Sequence, residues 1–249
     1  MFAGSYCGSP PDLYETASRW NFDPVLLLVL GILSVAVMRW GNRMAAGGIG
    51  LLVVAFVSPL CAAGVALFSV RSVHHLLLMA AALLFALAVR AERGSGRPVR
   101  SGLPAGATVT VMTIVLWAWH IPTLYDAALA NMAIYWTMQI TIFASSFAFW
   151  LAILRAGAVS AVGGLTGGTL QMGLLGAVLT FATRPLYGVH ALAAPSWGLS
   201  GLADQQLAGL IMWVGGMLPF AIGGAVIAGQ AWQRQNSDDA ASQLIRNPA

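Results

Sequence analysis

Lysine is absent from this chain, and charge of either sign is scarce: eight acidic residues and twelve arginines in 249 positions. Without lysine no Schiff base to retinal or pyridoxal can be anchored, which removes that enzyme class. The charged fraction is 8%, where a soluble domain carries about 25%. The net charge of +4 comes from scattered arginines with no basic stripe, so a nucleic-acid partner is excluded. Cysteine is nearly absent too. Cys7 and Cys61 are too few for a disulfide framework, and neither a CxxC nor an HExxH spacing occurs. No nucleotide-binding glycine fingerprint follows a strand.

What the chain does have is long apolar runs. It is 59% hydrophobic with a mean hydropathy of +0.80, so it reads as an all-α integral membrane protein. A span needs about 20 mostly apolar residues. Seven runs qualify, over 24–40, 46–68, 72–90, 105–120, 133–154, 165–184 and 204–232, which predicts a seven-helix transmembrane bundle. "SPL" at 58–60 bends the second run, and Pro219 kinks the last. The first 24 residues carry Asp12, Glu15, Arg19 and Asp23 and lack the order of a cleaved signal, so the first span is expected to stay.

Arginine placement orients the bundle. Arg39, Arg43, Arg90, Arg93, Arg97, Arg100, Arg155, Arg234 and Arg246 fall on one side, and only Arg19, Arg71 and Arg184 on the other. Nine against three puts the N-terminus outside and the C-terminus in the cytoplasm. Residues 1–23 are then an outer segment, 24–232 the membrane domain, and 233–249 a disordered tail. The polar stretch 90–102 is a mobile cytoplasmic loop. "GGLTGG" at 163–168 gives two small-xxx-small spacings, Gly163/Gly167 and Gly164/Gly168, which suit close helix packing.

With this topology all four histidines, His74, His75, His120 and His190, map to the outer side, along with Asp126, Asp204 and Cys7. Met132 and Met138 begin the fifth helix there, and His75 and Met79 share a helix face. Imidazole and thioether together suit cuprous copper, so His75, His120, Met79, Met132, Met138 and Cys7 are the candidate metal ligands. Polar tolerance at a helix end is the plainer explanation, above all for His190. Asp126 suits a surface or capping role better than a soft metal. No Asp, Glu or Arg falls in the middle third of any predicted helix, which disfavours an ion-coupled carrier. A bis-histidine haem would need His75 and His120 to meet across helices.

"WAWHIPTLYDAALANM", 117–132, ends a helix at His120 and Pro122 and allows a short interfacial helix after it. "WGLSGLADQQLAGLIMW", 197–213, enters the last span. Ser200 or Asp204 can cap that helix. Capping leaves Gln205 and Gln206 without a reason, so the three polar residues are assigned to the outer mouth of helix seven.

These blocks carry a resemblance. "DQQLAGLIMW" and "WAWHIPTLYDAAL", with "SPL", "HLLLM", "LTF", "RPLY" and "WGLS" in order, are similar to the CtaG family of cytochrome c oxidase assembly factors. The resemblance implies a seven-helix, non-enzymatic protein of the bacterial inner membrane that helps copper reach a haem-copper oxidase at the outer face. It implies oxidase subunits and membrane lipid as partners, with a copper donor protein besides. Two departures stand out. The family pattern HMxQH before the leucine run is here Arg71, Ser72, Val73, His74, His75, and a family Glu-His in helix five is Gln139-Ile140. The alternative is a scaffold that keeps the fold without metal, as an accessory subunit bound to a respiratory oxidase.

Overall fold

The computed structural model describes residues 5–92 and 104–246; most of the expected 90–102 loop lies outside the described residues. Among the described residues the chain is helical with no strand. The local reasons are legible in the caps. Asp23 Oδ1 accepts the N–H groups of Val25 (2.8 Å) and Leu26 (3.1 Å) at the start of α1 (Pro24–Trp40). Those bonds, Leu26's foremost, hold its carboxyl below the usual carboxylate range. Gly41, at φ +70°, ends the helix in the left-handed conformation that favours glycine. Asn42 caps α2 (Arg43–Phe56) and Asn131 caps α7 (Met132–Ile153) in the same way.

Two spans are broken where the sequence breaks them. Ser58 and Pro59 separate α2 from α3 (Leu60–Ala66), with a bend of 48°. His120 and Ile121 separate α5 (Ala105–Trp119) from α6 (Pro122–Ala130), with a bend of 73°. Proline supplies no N–H and starts the next helix at its first turn. The remaining elements are α4 (Phe68–Glu92), α8 (Ala158–Thr180), α9 (Gly188–Ala193), α10 (Gly201–Leu210) and α11 (Gly216–Arg246). Among the described residues four helices are long and apolar enough to cross a membrane, six if each bent pair is one span, and α1 adds a shorter apolar helix of 17 residues. This is a multi-pass membrane protein.

A π turn, Ile211–Gly215, joins α10 to α11, and Pro219 follows inside α11. Pro219 has no N–H to give the Gly215 carbonyl, so the ladder is irregular here. α11 then continues to Arg246, through most of the segment expected to be a disordered tail. Alanine and glutamine in that stretch favour helix.

α4 is the central helix, packed against α2, α3, α7 and α10. α8 packs on α10 and α11 through glycine. A Cβ on Gly176 would sit 2.8 Å from Trp213 Cβ and 2.9 Å from the Gly209 carbonyl oxygen. The expected glycine stripe is used in part: Gly168 meets the Phe220 ring and Gly164 the Ile153 side chain, while Gly163 faces open space. α1 leans on α2 and leaves an apolar groove of about 760 Å³ towards α7, lined by Leu30, Phe56, Phe85, Trp136 and Phe143 among others.

Candidate functional site: a buried polar chamber at one end of the bundle

The four histidines do converge on one end, but not at a wet surface. His74 is 0% exposed, His75 6%, His120 9% and His190 1%. Burial replaces the expectation that outer helix ends merely tolerate polar groups. Phe68 lies among them, its ring 6.2 Å from His120, 5.5 Å from His190, 5.4 Å from Tyr125 and 4.2 Å from Tyr187.

The polar triplet in α10 builds the wall of this chamber. Asp204 does not cap its own helix; Ser200 does, accepting the Ala203 N–H at 3.1 Å. Asp204 instead caps α4. Its carboxylate accepts the N–H of Phe68 (2.7 Å), the N–H of Ser69 (3.1 Å) and the Ser69 hydroxyl (2.5 Å), with the residue fully buried. A carboxylate at a helix N-terminus also meets the positive end of the dipole. Gln205 Oε1 accepts the Leu186 N–H at 2.6 Å, and Gln206 Nε2 donates to the Ala182 carbonyl at 3.2 Å. One residue secures the central helix, and the next two hold the 182–186 turn.

His190 is a second latch. Its Nδ1 lies 3.2 Å from the Ala66 carbonyl, which can only accept, so Nδ1 carries the proton. Nε2 therefore accepts the Tyr125 hydroxyl at 2.7 Å. Burial, with the Arg71 cation in support, pushes His190 down to about 3. The ring is neutral at physiological pH. Below about pH 6.5 the unfolded chain takes up a proton that folded His190 refuses. Stability is thus full above that pH and falls continuously towards pH 3. By pH 5 the loss is about 2 kcal/mol. Thermal midpoints in detergent at pH 7.5 and pH 5 measure it, and a His190→Asn variant narrows the difference.

Arg71 is the residue that sequence reading misplaced. Counted with the outer connections, it lies within α4 and is 0% exposed. Its Nε donates to the Gly64 carbonyl at 3.0 Å, and its guanidinium carbon sits 5.5 Å from the Tyr135 ring centre. Both Nη groups are buried without a hydrogen-bond partner, as are both ring nitrogens of His74 and Nε2 of His75. The error has a cause: α4 begins at Phe68, four residues earlier than the hydropathy suggests, because Asp204 supplies its cap. Gln139 and Gln171, also buried with unpartnered amides, continue the polar interior.

The expected metal ligands lie in different surroundings. Cys7 is bonded to Cys61 and offers no thiolate, which corrects the expectation of Cys7 as a copper ligand. Met132 is 56% exposed at the start of α7, whereas Met138 and Met79 pack in the core. His120 Nδ1 is engaged with the Leu116 carbonyl at 2.6 Å. His75 keeps a free Nε2 with His120 and Arg71 in electrostatic reach. Among the described residues no three His, Cys, Asp or Glu side chains form a metal-holding group. Asp126 caps nothing: its Oδ1 is buried without a partner, close enough to Tyr187 for its charge to be felt there. Burial pushes the Tyr187 phenol up, and its hydroxyl donates to the His120 carbonyl at 2.8 Å. Tyr125, in the expected short interfacial helix, is 1% exposed.

No curated protein and no solved structure matches this chain. A family model does, over residues 35–234, a stretch that holds every helix of the chamber. Its description is cytochrome c oxidase caa3 assembly factor (Caa3_CtaG), and the chain belongs to that family.

Proposed function

We propose that this protein assists assembly of a haem-copper cytochrome c oxidase by contact with oxidase subunits at the outer face of the bacterial inner membrane, without catalysing a reaction. Seven spans carry it: α1, the α2–α3 and α5–α6 pairs, α4, α7, α8, and α10 with α11. The N-terminus lies outside, where arginines are fewest. The Cys7–Cys61 bond at that end supports the same orientation, since disulfides persist outside the reducing cytoplasm. Membrane lipid fills the groove beside α1.

The observation that carries the contact reading is Arg71. A buried guanidinium one helical turn from His75 already occupies the chamber as a cation. Bringing a cuprous ion beside it places two like charges in a low-dielectric interior. The donor set therefore fits copper poorly. Copper delivery from a donor protein through His75 and His120 is the second reading, favoured by the free Nε2 of His75.

Deleting the gene is expected to lower oxidase activity while the oxidase polypeptides persist, measured by oxygen consumption and immunodetection on the same membranes. Normal activity in the deletion strain would count against both readings. Restoration by added copper alone would favour the second.

A further inference from the structure

The disulfide sits in a setting that anchoring does not require. The N-terminal segment is already tied down elsewhere. Asn21 donates to the carbonyls of Val57 (2.9 Å, through its backbone N–H) and Phe56 (3.1 Å, through its amide), and Trp197 Nε1 donates to the Pro11 carbonyl at 3.0 Å. At the bond itself the two cysteines differ. Cys61 is 1% exposed, while Cys7 is partly exposed and is followed by the exposed Gly8 and Ser9.

Tyr135 touches both sulfurs. Its hydroxyl lies 3.5 Å from Cys7 Sγ and 3.9 Å from Cys61 Sγ. A disulfide sulfur has no proton, so the phenol donates. Behind the same ring stands Arg71, bonded to Gly64 one turn along α3 from Cys61, with both Nη groups unpartnered. A donor at the sulfur and a buried cation behind it are what a departing thiolate needs.

We propose that Cys7–Cys61 is a thiol–disulfide exchange centre that takes a cysteine pair on an extramembrane polypeptide as its partner. A thiolate of the partner attacks Sγ of Cys7, the less buried of the two cysteines. The partner S–Cys7 bond forms, the Cys7–Cys61 bond breaks, and its electron pair leaves on Cys61. The Tyr135 hydroxyl donates to that thiolate, and Arg71 faces it electrostatically. The partner's second thiol loses its proton to solvent and attacks its own mixed-disulfide sulfur, expelling Cys7, which is then protonated. The partner dithiol is oxidised to a disulfide, and Cys7 and Cys61 are reduced. The exchange is stoichiometric and independent of whether the chain carries copper.

The test uses the full-length protein in detergent with a reduced two-cysteine peptide as probe, following free thiols by alkylation and mass. Reduction is expected at least about tenfold faster than for glutathione disulfide under the same conditions, because the leaving sulfur is stabilised. Tyr135→Phe is expected to slow it about tenfold with an unchanged thermal midpoint. Cys61→Ala, offered the oxidised peptide, is expected to accumulate a mixed disulfide at Cys7, which carries the test should Tyr135→Phe fail to fold. A rate no faster than glutathione disulfide, or no trapped adduct, would make the bond a structural staple and overturn the proposal.

Discussion

Replacing Asp204 with alanine is expected to destabilise the protein by about 3–5 kcal/mol, the range for removing one side of a buried charged network. Three donors on α4 lose their acceptor at once: the N–H groups of Phe68 and Ser69 and the Ser69 hydroxyl. None has access to water, so each retains its desolvation cost. Asp204→Asn keeps the volume and one acceptor oxygen, so a smaller loss is expected. Thermal midpoints of the three proteins in one detergent order them as wild type, Asn, Ala. A midpoint for Asp204→Ala within a degree of wild type would mean that the cap on α4 contributes little.

Gly176→Ala is expected to cost about 3 kcal/mol, the upper end for overpacking a close contact. The added methyl would lie 2.8 Å from Trp213 Cβ and 2.9 Å from the Gly209 carbonyl oxygen. Neither is the tip of a flexible side chain, so α8 and the α10–π turn segment must separate. That displaces the helix that carries Asp204, Gln205 and Gln206. Gly163→Ala is the matched control. Nothing lies within 4 Å of its added Cβ, and alanine gains up to about 1 kcal/mol over glycine inside a helix. Equal effects at the two positions would contradict the crossing described here.

The helices themselves were readable because each break has a local chemical cause. Pro59 and Pro122 end spans by lacking an N–H, and Asp23, Asn42 and Asn131 begin them with side-chain acceptors. That the four histidines share one end of the bundle was readable from the order of the apolar runs. Their burial was not, because it depends on α6 and α9 folding over the bundle end, and periodicity carries no such information. Arg71 shows the same limit. A hydropathy window ends a span at a charge, whereas the real helix starts earlier on an acceptor 135 and 136 residues away in sequence. The Cys7–Cys61 pairing, 54 residues apart, likewise needs the second span to return to the N-terminal segment. Capping alone leaves the glutamines of "DQQ" unexplained. Their partners, Leu186 and Ala182, lie in a turn whose path the sequence does not reveal.

The most direct test of the contact reading is cuprous copper binding by the purified protein, in competition with a chelator of known affinity. His75→Ala and His120→Ala are run beside it, with Arg71→Gln as the variant that removes the buried cation. The account predicts no stoichiometric binding in the wild type, because Arg71 holds the chamber's positive charge. Tight, one-to-one binding by the wild type that is lost in either histidine variant would contradict it and make copper delivery the function of the chamber.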